Sequence, residues 1–165
     1  MNLEMLELLL SGKYRLEHYR DGKLIDVDEF KNGIVTVGKN YLLDAGFRNQ
    51  TQITAWYFGL INNSGFSALS AADTMSSHTG WTECTDYDEA NRPTWSPGAA
   101  SSGSITNSTP VDFTMNATVT LYGAFIASVN TKGGTSGTLW STGAFSTTKP
   151  VADNDVVKLV YTLNS

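Results

Sequence analysis

The chain has 165 residues, enough for one domain with a sizeable core. Only 16% of residues are charged while 41% are hydrophobic, and Thr, Ser, Gly and Asn fill the difference, the profile of an all-β protein with an uncharged polar surface. The net charge of −5 speaks against a phosphate-neutralising surface and so against nucleic acid as a partner, and the single Cys84 excludes an intramolecular disulfide framework.

Residues 1–10, MNLEMLELLL, form an apolar run too short to span a bilayer and carry no basic stretch before it. No secretory address and no membrane anchor are expected; a short helix or arm over residues 2–10 is. Charge concentrates in residues 1–31, and Lys and Arg are sparse beyond, which marks 1–31 as a charged arm and hairpin set apart from a β domain over 32–165. YRLEHYR and KLIDVDEF flank Asp21-Gly22, the strongest short-range hairpin signal, with Tyr14, Leu16 and His18 sharing one face of the first strand.

GIVTVGKNYLLDAGF begins as a short strand at Ile34, Val35 and Val37. It then places Tyr41, Leu42 and Ala45 at helical spacing, which predicts one amphipathic helix over residues 39–45 closed by Gly46 in a left-handed cap. TAWYFGLINN, apolar, aromatic-rich and bounded by polar clusters, reads as a core strand buried on both faces. Beyond residue 96, GSITNS, VDFTMNATVTLYGAFIASV, GTLWSTGAFS and DVVKLVYTLN are β segments with period-2 alternation at Val111/Phe113/Met115 and Val157/Leu159/Tyr161/Leu163. TKGGTSGT has the composition of a mobile hairpin tip. Many strands, turn signals and one short helix predict a mainly β fold, an antiparallel β-sandwich of jelly-roll or Ig-like type.

Chemistry is densest in GWTECTDYDEANRPTW, residues 80–95. Cys84 lies six residues after His78, so a Cys-His nucleophile is conceivable, but a cysteine on a tryptophan-bearing strand reads as a buried small hydrophobe and a histidine in SSHTG as a solvated loop residue. Glu83, Asp86, Asp88 and Glu89 offer carboxylates for an acid/base pair or calcium, yet the pattern lacks the glycine of an EF-hand loop. The plainer reading is an amphipathic strand with aromatics in the core and acids at a solvated rim, Arg92 pairing with one of them. No cofactor, no metal and no catalytic set is expected.

NGIVTVGKNYLLDAGF, the stretch from TAWYFGLINN to RPTW, and GAFIASVNTKGG resemble a group of tailed-bacteriophage virion proteins with a W-Y-x-G-L strand, an A-x-D-T turn and a W-x-E to R-P-x-W segment. The resemblance covers about residues 32–140. It implies a structural role as a capsid decoration (cement) protein on the outside of the head, made in the host bacterial cytoplasm and found in the virion. Its partner would be the major capsid protein, and the chain would itself be a dimer or trimer. On that reading the N-terminal unit is the attachment device, with Leu8, Leu9, Tyr14, Leu16, Tyr19 and Leu24 as contact residues and Arg92 as a further one. A fibre module binding host-surface glycans through Trp and Tyr platforms is the alternative, and a glycan hydrolase the third. The lack of heptads or stalk repeats favours decoration over a fibre.

Overall fold

The computed structural model describes residues 10–165, so Leu8 and Leu9 lie outside the described residues. The elements in chain order are β1 (Ser11–Arg20), β2 (Lys23–Lys31), β3 (Gly33–Ile34), α1 (Thr36–Phe47), β4 (Trp56–Asn62), β5 (Glu83–Cys84) and β6 (Thr94–Trp95), followed by β7 (Ser104–Thr106), β8 (Val111–Thr114), β9 (Val119–Ala127), β10 (Leu139–Val151) and β11 (Val156–Asn164). They form two antiparallel sheets facing each other across a core. The first runs β2-β1-β11, with β7 and β8 paired to the two halves of β11; the second runs β3-β10-β9-β4, with β5 and β6 against the two ends of β4. No helix among the described residues is long and apolar enough to cross a membrane.

Asp21 (φ 49°) and Gly22 (φ 72°) turn the β1–β2 hairpin, because a two-residue turn matched to strand twist needs left-handed backbone at both positions. The hairpin is not an appended unit. β1 lies between β2 and β11 and pairs with β11 from Ser11↔Asn164 to Tyr19↔Val156, so its apolar face joins the same core as residues 32–165. Tyr14 and Leu16, expected as contact residues, are fully buried there. Tyr14 stacks on Phe30 (5.1 Å between ring centroids), tilts against Tyr161 (4.7 Å) and meets Phe58 of the opposite sheet edge-on (6.3 Å). Asp28 of β2 is buried too: it accepts the Ser146 N–H and Oγ–H (2.9 and 2.6 Å) and pairs with Lys149 (3.0 Å), which clasps β2 to β10.

β4 is buried on both faces, as its continuous apolar run requires. Phe58 and Leu60 point into the inter-sheet core, while Ile61 joins a second cluster of Val35, Met75, Trp81, Phe125, Ala127 and Leu139. Residues of the irregular 63–82 segment, among them Phe66, Leu69, Met75 and Trp81, thus cover the outer face of the second sheet. Gly59 is a point of close approach, since a Cβ there would lie 2.1 Å from the Phe125 ring.

Three local expectations are corrected. The helix starts at Thr36, so the expected strand ends at Ile34 and Val37 is helical. Gly46 is inside α1 rather than capping it; Asn49 (φ 55°) takes the left-handed position, and the Arg48 N–H closes on Asp44 O at 2.9 Å. In GWTECTDY only Glu83–Cys84 forms a strand, and the buried positions Trp81, Cys84 and Tyr87 recur every third residue instead of every second. There the chain winds around the end of the second sheet, with Tyr87 bridging to Met115.

Phe113, fully buried and edge-on to Tyr87 at 4.9 Å, tests this core. Phe113→Ala is expected to lower the unfolding free energy by about 3–5 kcal/mol. Val27→Ala, at a position 40% exposed, is expected to stay within about 0.5 kcal/mol of the parent. Denaturant unfolding midpoints check both.

Candidate functional site

Within the acidic corner Glu83 and Arg92 form a buried fastening, while Asp88 is exposed and Asp86 and Glu89 are half-buried. Arg92, 2% exposed, donates from Nε and Nη2 to the two oxygens of Glu83 (2.8 and 2.7 Å), from Nη1 to Val129 O (2.8 Å) and from Nη2 to Gly134 O (2.7 Å). Its guanidinium lies 5.2 Å from the Phe125 ring centroid. Glu83 also accepts the Gly133 N–H (2.8 Å), and Lys132 Nζ donates to the carbonyls of Tyr87 and Glu89 (2.7 and 2.8 Å) over the Tyr87 ring. The loop expected as a loose tip is therefore latched by its backbone and by Lys132. Arg92 does find an acid partner, but inside the protein, which removes it from the set of surface contacts.

Burial pushes the Cys84 thiol up to about 11, against the low value a nucleophile needs, and its Sγ faces Asp86 at 3.8 Å. Both carboxylate oxygens of Glu89 accept the Thr114 N–H (3.1 and 3.2 Å). His78 is half-buried rather than solvated: its ring stacks on Trp81 (3.9 Å), and Nδ1 lies 3.0 Å from the Trp81 carbonyl, which can only accept, so that nitrogen carries the proton. Among the described residues no three His, Cys, Asp or Glu side chains converge as metal ligands.

A second ionic cluster pins the far end of β1 to the β10–β11 turn. Asp155, 1% exposed, accepts from Arg20 Nε and Nη2 (2.8 and 2.6 Å) and from the Ala152 N–H (2.8 Å), and lies 2.7 Å from His18 Nε2. Arg20 above all, with the Ala152 N–H and His18, holds the Asp155 carboxyl well below the usual carboxylate range against the cost of its burial. Its side-chain partners His18 and Arg20 come from more than 130 positions away, so no local pattern marks this residue.

The most ligand-like surface is a groove of 250 Å³ between α1 and one end of the sandwich. Tyr41, Leu42 and Ala45 form its helical wall and Gln52 and Ile53 its rim; the floor is Trp56, Trp95 and Trp140, with Ile105 and Leu163 at the far side. Its polar atoms are largely turned away. Trp95 Nε1 donates to Asn107 Oδ1 (3.0 Å), Trp140 Nε1 to the Tyr161 hydroxyl (3.0 Å), and the Tyr41 hydroxyl accepts the Ile53 N–H (2.6 Å). Among the described residues, what remains facing the groove is apolar apart from Gln52, and none of those lining it is charged.

Among the described residues, large apolar side chains are exposed at two places. On α1 they are Leu42, Leu43 and, at 86% exposure, Phe47; at the hairpin they are Leu24, Ile25 and Val27. Of the expected contact residues Leu24 is exposed, while Tyr19 is half-buried on the outer face of the first sheet, donating from its hydroxyl to Glu17 (2.9 Å). The α1 patch was missed, although Leu43 and Phe47 stand four residues apart on a face other than that of Tyr41 and Ala45, a legible sign of a helix apolar on two sides.

No family model matches the chain, and no curated protein matches it.

Removing the Arg92 guanidinium strands the buried Glu83 carboxylate. Arg92→Leu is expected to lower the unfolding free energy by about 3–5 kcal/mol. Amide exchange over residues 128–138 should rise with it, as hydrogen exchange by mass spectrometry would show. For Asp155 the folded carboxyl is the stronger acid, so its stabilisation is full above the unfolded value of about 3.9 and fades as pH falls towards the lower folded value. Asp155→Asn is expected to be less stable at neutral pH and to lose part of this acid dependence in unfolding measured between pH 2 and about 6.

Proposed function

We propose that this chain is a virion structural protein of a tailed bacteriophage, a capsid decoration protein that binds the outside of the head and stabilises the shell. The observation that carries the reading is the pair of exposed apolar patches. Tyr19, which pairs with Leu24 of the hairpin tip, sits opposite Val156 on β11, and the groove beside α1 is walled by Leu163 of the same strand. Seven residues of extended chain place these ends roughly 23 Å apart. A protein that ties neighbouring shell subunits together needs two such contact surfaces on one rigid body, and it stabilises the shell by binding only the assembled state.

Two further features support a structural role. The buried ionisable groups Glu83, Arg92, Asp155 and Lys149 are engaged in internal pairs, which leaves them no free acid or base function. Trp81, Trp95 and Trp140 are at most 9% exposed, which disfavours open stacking platforms for sugars. The proposed partner is the major capsid protein, with the chain acting as a dimer or trimer.

The test is co-sedimentation with empty heads that lack this protein, followed by reconstruction of the decorated particle. Wild-type protein is expected to saturate the outer surface at fixed sites. Leu43→Glu/Phe47→Glu and Leu24→Asp/Ile25→Asp, all at exposed positions, should fold normally and bind at least about tenfold more weakly, a loss of about 1.4 kcal/mol. Failure of the wild-type protein to sediment with heads, or its density at the tail tip, overturns the reading.

A further inference from the structure

Among the described residues Lys149 is the only buried lysine. It stands where β10 breaks register with β9: Ala144 pairs with Gly123 but Lys149 pairs with Leu121, so residues 145–148 are displaced from the ladder. There Ser146 and Lys149 meet Asp26 and Asp28, which share one face of β2. Lys149 Nζ lies 3.0 Å from Asp28 Oδ2 and 2.8 Å from Asp26 Oδ2, and the Lys149 and Asp28 side chains are each 7% exposed. Ser146 donates its N–H to Asp28 Oδ2 (2.9 Å) and its Oγ–H to Asp28 Oδ1 (2.6 Å). The surroundings are apolar: Asp28 is opposite fully buried Leu16 on β1, and Phe145 meets Phe30 edge-on at 5.0 Å.

An amine held against a carboxyl, with a second carboxylate on the nitrogen and two donors on the acyl oxygens, is the arrangement that amide formation needs. We infer that Lys149 and Asp28 condense to an intramolecular isopeptide bond that ties β2 to β10. Nζ attacks Asp28 Cγ, and the Ser146 N–H stabilises the negative charge that develops on Oδ2, which becomes the amide oxygen. Two protons leave Nζ by way of Asp26 and depart with Oδ1 as water, so ammonium and carboxylate become amide and water with no other reactant. Burial opposes both charges, but Ser146 and Lys149 hold the Asp28 carboxyl below its ordinary value and the two aspartates hold the Lys149 ammonium above its own, so the resting pair is ionic. Moving one proton from nitrogen to carboxylate yields the amine and acid that react, and an apolar setting favours that neutral pair more than water does. The bond would close a loop of more than a hundred residues, a constraint that the single Cys84 cannot supply. The inference does not depend on the phage reading.

Intact-mass spectrometry of the full chain tests this directly. Protein held at neutral pH until its mass no longer changes, then denatured, is expected to be lighter than its sequence by one water. Protease digestion should release a branched peptide joining the β10 segment through Lys149 to the β2 segment, with fragmentation placing the branch at Asp28. Lys149→Arg keeps the positive charge but cannot form this bond, and should retain the full mass and unfold at a lower temperature. Asp26→Asn, whose parent side chain is 41% exposed, leaves nucleophile and acceptor in place and should form the bond about a hundredfold more slowly. A wild-type mass equal to that of the sequence, a branch at Asp26, a water loss that persists in Lys149→Arg as a succinimide at Asp21-Gly22 would give, or bond formation at the wild-type rate in Asp26→Asn would each overturn the inference.

Discussion

The packing of Tyr161 against Tyr14 is the contact on which the rest of the arrangement hangs. The two residues face each other in the β1–β11 register, and around them gather Phe30 from β2 and Phe58 from the opposite sheet. The Tyr161 hydroxyl accepts from Trp140 Nε1 and Asn32 Nδ2, and its backbone N–H donates to Asn107 Oδ1, the same oxygen that receives the Trp95 indole. Trp95 in turn meets the Tyr161 ring edge-on at 5.4 Å. One residue of β11 thereby sets the orientation of two of the three tryptophans that floor the groove. Because each buried polar atom in this chain of bonds must keep its partner, the floor is held rigidly rather than merely packed.

Around this aromatic centre, a chain poor in charge places several charges where solvent does not reach. Arg92 with Glu83 ties the 128–138 loop to the end of the second sheet, Lys149 with Asp28 joins β2 to β10, and Asp155 anchors β1 to the final turn. Each links segments far apart in sequence, at a place where an apolar contact would permit more than one register. Such pairs carry a desolvation cost that a hydrophobic substitute would avoid, and what they add is geometric specificity. The outer face of the first sheet behaves differently. There Lys13, Arg15, Glu17 and Glu29 form an exposed ladder, which keeps that face soluble and discourages edge-to-edge pairing of β2.

The buried ionisable groups are turned inward, and the exposed large apolar side chains of the described residues lie on α1 and at the hairpin. Glu83, Arg92, Asp28, Lys149 and Asp155 are committed to holding loops and strands, whereas Phe47, Leu43, Leu24 and Ile25 are exposed. This division fits the proposed role of a protein held between other surfaces: deformation on binding would cost ordering free energy, and the internal bonds have met that cost at folding.

Periodicity and turn chemistry were enough to foresee the mainly β fold, the Asp21-Gly22 hairpin, the doubly buried β4 and the alternating sets Val111/Phe113/Met115 and Val157/Leu159/Tyr161/Leu163, of which all but the half-buried Val111 and Leu163 are fully buried, because alternation and positive-φ turns are local properties of the chain. The sequence likewise announced that Arg92 would find an acid, since the two lie nine positions apart. Charge density misled about the N-terminal hairpin: Lys13, Arg15, Glu17 and Glu29 mark only its outer face, and the inner face of Tyr14, Leu16 and Phe30 reveals its place only once β11 is set beside it. The groove, the burial of Asp28 and Asp155 and the latching of residues 131–137 were decided by tertiary structure alone. Each depends on side chains separated by tens to more than a hundred residues, and no local pattern encodes which distant carbonyl or indole will meet them.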